Sequence, residues 1–266
     1  MRHPIITLLT DFGLKDHYVA SMKGVILGIN PRCTVVDISH QVAPQDVEEG
    51  AFVLAAAFTS FPPGTIHLGV VDPGVGGPRR PLLIVTEDYY FVGPDNGLFS
   101  VALRRENVKR VIVPTNENYF LPRTSSTFHG RDLFAPVAAH LSLGVRPESF
   151  GNRTDVWVEL SLNRPERKGK ELTGEIVHVD AFGNLVSNID EENLLDFVRD
   201  RLFSVRVGRC RVRSLKGGYW EGKKGEVLAL IGSGGFLEIA VREGDARKKL
   251  KAERGDRVGI RIEEGR

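Results

Sequence analysis

The sequence predicts a mixed α/β protein of two domains, an N-terminal α/β domain with a mostly parallel sheet and a smaller, β-rich C-terminal domain. Three observations predict it. Through the first half, short β-branched runs alternate with stretches of helical periodicity, the pattern of strands joined by crossover helices. Beyond residue 170, short β-branched runs are separated by glycine turns, as in small barrels and sandwiches. Between the two lies a charged stretch containing Asn163-Arg164-Pro165. The expected division is residues 1–150, a linker at 151–170, and 171–266. A chain of 266 residues exceeds what one compact core usually needs.

Each element has a local reason. Residues 5–9 form an apolar run that ends in the polar loop Thr10-Asp11-Phe12-Gly13. In 16–29, Val19, Met22 and Ile26 fall at helical spacing, and Asn30-Pro31 stops the helix. Residues 34–38 read as a strand. A helix over 46–59 follows, with Asp46 as N-cap and Glu49 three residues on, a pair like a capping box. A turn at Phe61-Pro62-Pro63-Gly64 leads into a strand at 66–71, and 82–86 with 89–92 bracket Glu87-Asp88 as a hairpin. Helix is expected at 97–105, strand at 109–113, and helix at 130–143 with Gly144 closing it. In the second half the strand candidates are 171–179, 202–212, 226–231, 236–241 and 257–262, with one helix near 191–200.

Composition narrows the function classes. With 36 basic and 34 acidic side chains the formal charge is +2, so nothing electrostatic calls for nucleic acid or an anionic membrane. The run Arg164, Arg167, Lys168, Lys170 reads as a solvated linker. Two cysteines, Cys33 and Cys210, cannot build a disulfide framework or a paired-cysteine metal site, and a reducing cytoplasm is the expected location. The first apolar run is too short for a signal peptide, and no stretch nears the ~20 apolar residues of a membrane span.

In open parallel sheets ligands bind at the carboxyl ends of strands. The first strand ends at Thr10-Asp11. The third ends at Asp72-Pro73-Gly74-Val75-Gly76-Gly77-Pro78-Arg79-Arg80, where three glycines beside an acid and two arginines are costly to order without a use. This is no dinucleotide fingerprint, because prolines rather than a helix follow it. The polar stretch 124–132 runs into a helix start, with His129 at a junction whose free N–H groups favour negative charge. Asp180-Ala181-Phe182-Gly183-Asn184 and Gly232-Ser233-Gly234-Gly235 are two further polar turns. Together they offer carboxylate, amide, hydroxyl and an aromatic face, a set suited to a polar small molecule bearing a base and a charged group. No cluster with metal-ligand spacing occurs, and no GxSxG elbow supplies an acyl nucleophile.

The motifs TDFGLKD, APQDVEEGA, VVDPGVGGPRR, GPDNGL, STFHGRD and DAFGNLVSNI, in this order over nearly the whole chain, resemble the S-adenosylmethionine hydroxide adenosyltransferases. These are relatives of the fluorinating and chlorinating enzymes that use the same substrate. The resemblance implies a Rossmann-like N-terminal domain, a β-barrel C-terminal domain, and a homotrimer with sites between neighbouring subunits. It implies that water attacks the 5′-carbon of S-adenosylmethionine, giving adenosine and methionine, with no further cofactor and no metal. The family's catalytic Asp, Arg and His fall on Asp72, Arg79 and His129, with Arg80 as the alternative arginine. Ligand contacts carry over to Asp11 for the ribose hydroxyls, Asp180 for the methionine amine, Phe182 and Asn184 near the adenosine, and Ser233 for the methionine carboxylate.

The halogenating relatives carry an aromatic residue in place of Asp72 and a hydroxyl side chain in place of Gly130. An anionic carboxylate beside the attacking position repels halide and accepts a proton from water, so hydrolysis is the expectation. Halide transfer to the same carbon and a non-catalytic S-adenosylmethionine-binding trimer are the alternatives. A carboxylate is a weak base, so Asp72 is expected to take the proton late, as the carbon–oxygen bond forms, while Arg79 and His129 orient water and base.

Overall fold

A computed structural model describes residues 3–122, 126–161 and 163–263. The chain divides into two compact units, Met1–Leu160 and Ser161–Arg266. It is a mixed α/β protein with one sheet in each unit.

The first unit runs β1 (Ile5–Thr10), α1 (Tyr18–Ile29), β2 (Thr34–Ser39), α2 (Val47–Ala57), β3 (Ile66–Val70), β4 (Pro81–Thr86) and β5 (Tyr90–Pro94). It continues with α3 (Ser100–Leu103), β6 (Val108–Pro114), α4 (Ala135–Ser142) and β7 (Gly151–Thr154). The seven strands lie in the order β2-β1-β3-β5-β4-β6-β7. Pairs β1–β2, β1–β3 and β3–β5 are parallel, whereas β4–β5, β4–β6 and β6–β7 are antiparallel. The sheet is therefore half parallel rather than mostly so. The β4–β5 hairpin reverses the chain, and beyond it β6 and β7 each reverse again, so directions alternate across this half of the sheet.

Strand alternation feeds two cores. Ile6, Leu8, Leu68 and Ile112 face α1 and α4 in a cluster with Met22, Ile26 and Phe134. On the other face Leu9, Ile84, Phe91 and Val111 pack with Leu54 of α2, Phe58 just beyond its end, and Ala102 of α3. Period-two burial on both faces makes these strands the middle layer of three.

Local signals act where expected, with instructive departures. Asp46 caps α2 by accepting from the Glu49 amide at 2.9 Å. The Glu49 carboxylate accepts from the Ala43 amide at 2.7 Å and fastens the incoming loop, while the Asp46 amide donates to the Ala43 carbonyl at 3.0 Å. The helix expected over 97–105 is shortened to α3, because Asn96 and Gly97 are used in the turn before it. The helix expected over 130–143 begins as a wide π turn, Gly130–Phe134, before α4.

The second unit contains β8 (Glu166–Lys168), β9 (Glu171–Val179), β10 (Leu185–Asp190), α5 (Glu191–Val198), β11 (Phe203–Val207), β12 (Cys210–Val212) and β13 (Leu215–Lys216). Then come β14 (Val227–Ile231), β15 (Phe236–Val241), α6 (Ala246–Leu250) and β16 (Arg257–Ile262). The order is β12-β11-β16-β9-β10-β15-β14-β13, with β8 on β9, and all pairs but β13–β14 are antiparallel. The strip curls until β12 meets β14, so the sheet is nearly a barrel around Ile176, Leu185, Leu237, Ile239, Val258 and Ile260. The single strand expected at 202–212 is a hairpin, β11 and β12, because the turn at Gly208 folds it in two. The stretch expected as linker holds β7, which pairs with β6, and β8, which pairs with β9.

Candidate active site

Adjacent parallel strands β1 and β3 deliver their carboxyl ends to the same edge of the sheet. Asp11 follows β1 and Asp72 follows β3 by two residues. The Asp72 loop then folds back to Arg79. Arg79 Nε donates to both Asp72 carboxylate oxygens, at 2.9 and 3.0 Å, and its Nη2 makes a further short bond to Oδ2. The same Nη2 lies 2.8 Å from Nδ1 of His129. A guanidinium only donates, so Nδ1 accepts and the ring proton resides on Nε2. Asp72, Arg79 and His129 are thus one hydrogen-bonded group, although they come from separate loops. The Asp72 and Arg79 side chains are 4% and 10% exposed, dry enough for the pair to hold its geometry. Arg79 also stacks over Phe134, 5.2 Å from the ring centroid.

The glycines explain how the loops come so close. Gly76 adopts φ +74°, and a Cβ there would lie 2.8 Å from the Ser126 carbonyl oxygen. The loop after β3 packs backbone to backbone against the approach to His129, which no larger residue permits. Gly130 is enclosed in the same way: a Cβ would meet Met22 Sδ at 3.2 Å, Phe128 at 3.3 Å and Phe12 at 3.5 Å. Of the polar stretch 124–132, Thr124 and Ser125 lie outside the described residues.

Arg80, the alternative arginine, points elsewhere. Its Nε and Nη2 hold Asp95 at 2.9 and 2.6 Å, and Nη2 donates to the Val156 carbonyl at 2.7 Å. Asp95 in turn accepts from the Val158 amide at 2.7 Å, so this pair fastens residues 154–158 to the sheet. Asn96, which was not singled out from the sequence, donates to the Val71 carbonyl at 2.8 Å and steadies the backbone next to Asp72. It lies within the GPDNGL motif, which carried the family resemblance but assigned no role to this asparagine.

Asp11 is half-buried, and its Oδ2 accepts from the Gln45 amide at 2.7 Å. In the second unit Asp180, Phe182 and Asn184 share the turn from β9 to β10. Asp180 Oδ1 accepts from the amides of Phe182 and Asn184 at 2.9 and 2.8 Å, and Oδ2 from the Asn184 side chain at 2.9 Å. This self-bonded turn leaves the Phe182 ring 79% exposed, an open aromatic face. Ser233 is exposed in the tight turn between β14 and β15.

Two residues near Asp180 escaped the sequence reading. Glu238 of β15 is buried, and the Tyr219 hydroxyl donates to it at 2.5 Å. Burial pushes the Glu238 carboxyl up; the Tyr219 bond opposes this and the Asp180 charge adds to it. The Tyr219 phenol is itself pushed up by burial and by these two carboxylates. Glu238 sits in a strand otherwise made of apolar residues, so only the outcome of folding reveals it as a partner of polar groups.

Among the described residues no group of three or more His, Cys, Asp or Glu side chains is placed to hold a metal ion. None of their helices is long and apolar enough to cross a membrane.

Comparison with known proteins agrees with the motif order. Residues 6–151 match the SAM hydroxide adenosyltransferase N-terminal domain, and 174–259 match the C-terminal domain. A protein of Methanocaldococcus jannaschii named (R)-S-adenosyl-L-methionine hydrolase is 36% identical, covering 96% of this chain and 95% of its own length. One of the same name from Salinispora tropica is 38% identical, covering 97% of both chains. A solved structure of an uncharacterized conserved protein from Thermotoga maritima superposes with a TM-score of 0.91 at 40% identity, over 96% of this chain and 99% of that one.

Proposed function

The chain belongs to the SAM hydroxide adenosyltransferase family, and from that premise we propose that it hydrolyses S-adenosyl-L-methionine to adenosine and L-methionine. The observation that carries this reading is the bonded group Asp72–Arg79–His129 at the carboxyl edge of β1 and β3. The sulfonium makes the ribose 5′-carbon electrophilic and gives it a neutral thioether as leaving group. The remaining task is to hold a water in line and accept its proton. Water carries two lone pairs and two protons. One lone pair accepts from His129 Nε2–H, the other attacks the 5′-carbon, and a proton points at Asp72. As the carbon–oxygen bond forms the carbon–sulfur bond breaks, methionine departs with the bonding pair, and the proton passes to Asp72. Arg79 fixes both partners, holding the Asp72 carboxylate and His129 Nδ1 with one guanidinium so that base and water stay in line.

In this reading Asp11 binds the ribose hydroxyls, Asp180 the methionine ammonium, Phe182 and Asn184 the adenosine, and Ser233 the methionine carboxylate. The N-terminal sheet serves as a Rossmann-like platform, the C-terminal unit as a ligand-completing barrel, and the enzyme works as a cytoplasmic homotrimer needing no cofactor beyond its substrate. The sequence relationship and the carboxyl-edge location of Asp11 and Asp72 support this.

The test is chromatography of products formed by purified protein in ¹⁸O-labelled water. Label in the 5′-hydroxyl of adenosine is the expected result. A halogenated nucleoside formed in chloride, or intact stoichiometric S-adenosylmethionine after long incubation, overturns the reading. Asp72→Ala is expected to keep substrate affinity and lose roughly 10²-fold or more in kcat. Asp180→Ala should chiefly raise KM.

A further inference from the structure

We infer that Thr10 and His40 are positioning residues that aim the Asp11 carboxylate at the ribose diol, an inference that rests on the reading of Asp11 given above. Both side chains are buried, Thr10 at 0% and His40 at 4% exposure, at the carboxyl ends of neighbouring strands β1 and β2. His40 Nδ1 lies 2.8 Å from Thr10 Oγ1, and its Nε2 approaches Asp37 Oδ1 at 3.0 Å in a bent geometry. Thr10 Oγ1 in turn accepts from the Phe12 amide at 3.2 Å. Polarity gives this chain one direction. With the ring proton on the Asp37 side, Nδ1 accepts the Thr10 hydroxyl hydrogen, and the freed lone pair of Oγ1 takes the Phe12 N–H. Burial alone would push the Asp37 carboxyl up, but Lys23 and His40 beside it outweigh this and hold it below its ordinary value, so the chain ends on an anion.

His40 holds the same loop a second time. Its carbonyl accepts from the Gly13 amide at 2.7 Å. Asp11 therefore lies in a short loop anchored at Phe12 through Thr10 and at Gly13 through His40. Its Oδ2 is held by the Gln45 amide, and Gln45 stands at φ +67°, a left-handed conformation that a non-glycine residue keeps only where its surroundings impose it. Among the described residues nothing else bonds the Asp11 carboxylate, so Oδ1 is open and Oδ2 keeps a lone pair. A carboxylate fixed on one edge and open on the other is set to accept both hydrogens of a cis-diol. The buried Thr10–His40 pair touches no substrate in this scheme; it acts through the backbone on either side of Asp11.

Thr10→Val preserves shape and removes only the hydroxyl. It should raise KM for S-adenosylmethionine about tenfold, the worth of one orienting hydrogen bond, and leave kcat within about threefold. Thr10→Ser should restore KM to within about threefold of wild type, and His40→Leu should raise KM in the same direction. Adenosine affinity by calorimetry should follow KM. In the Asp11→Ala background Thr10→Val should have no further effect, because the group it positions is gone. Folded Thr10→Val with wild-type KM and adenosine affinity, or effects of Thr10→Val and Asp11→Ala that multiply, overturn the inference. Absence of wild-type turnover would instead strike the proposed reaction, and adenosine affinity would still decide whether Thr10 positions Asp11.

Discussion

Arg79 divides one guanidinium between two acceptors, with the Nε edge and Nη2 on Asp72 and Nη2 again on His129. That division needs a planar fork. An ammonium is a point charge and cannot grip both carboxylate oxygens while reaching the imidazole. Arg79→Lys keeps the charge and is nevertheless expected to lower kcat about 10²-fold with little change in KM, read by steady-state kinetics. A Lys variant retaining wild-type kcat would show that charge alone suffices. Which of two adjacent arginines does this was not legible in the sequence. Arg79 and Arg80 take different partners, and the choice is made by Phe134 and His129 for the one and by buried Asp95 for the other. Asp72 and His129 were legible, because each stands at the end of a strand or the start of a helix in a glycine-rich setting.

At the scale of elements, Arg80 and Asp95 clasp residues 154–158 to the first sheet. Removing Arg80 leaves an Asp side chain of 3% exposure without its cation. Arg80→Ala should therefore lower unfolding stability by about 2 kcal/mol, since bonds to charged groups are worth roughly 1.5–3 kcal/mol each but Arg80 is itself partly solvated. Its kcat should stay close to wild type, the reverse of the Arg79 pattern; denaturant melts and kinetics on both variants separate the two roles. The wide turn at Gly130–Phe134 is the other decision made by an element. Helical periodicity marks α4 but is blind to one inserted residue. The insertion lets the helix begin directly after His129 while Phe134 turns under Arg79.

For the whole molecule, the buried imidazole of His67 links stability to pH. It bonds Thr7 Oγ1 at 2.8 Å and lies among Phe58, Phe61, Tyr89 and Phe91 in the first unit. Burial pulls it from 6.5 to about 4. Between those values the unfolded chain binds a proton that the folded one refuses. The stabilising contribution is therefore complete above pH 6.5 and is lost as pH falls toward 4, a change on the order of 3 kcal/mol. His67→Phe should flatten that part of the stability–pH curve, measured by urea unfolding at pH 7.5 and 4.5. An unchanged slope would place the acid sensitivity elsewhere. The proposed homotrimer predicts a light-scattering mass near three times the 29.4 kDa chain mass; a monomer at working concentration would refute it.

Local chemistry is what the sequence settled by itself. Apolar periodicity marked most strands and helices of both units, though not β7, β8, β13 or α6; Asp46 announced its cap, and strand ends followed by glycine and acid marked Asp11 and Asp72. Such signals depend on neighbours along the chain, and those neighbours are present in the sequence. Only the folded structure decided that β6 and β7 extend the β4–β5 hairpin in antiparallel order, that Arg79 rather than Arg80 meets His129, and that Glu238, Asn96 and the Thr10–His40 pair are tied to polar partners. Those outcomes rest on contacts between residues far apart in the chain. Hydrogen-bond geometry and burial select among sequence-equivalent groups only once the strands have brought them together.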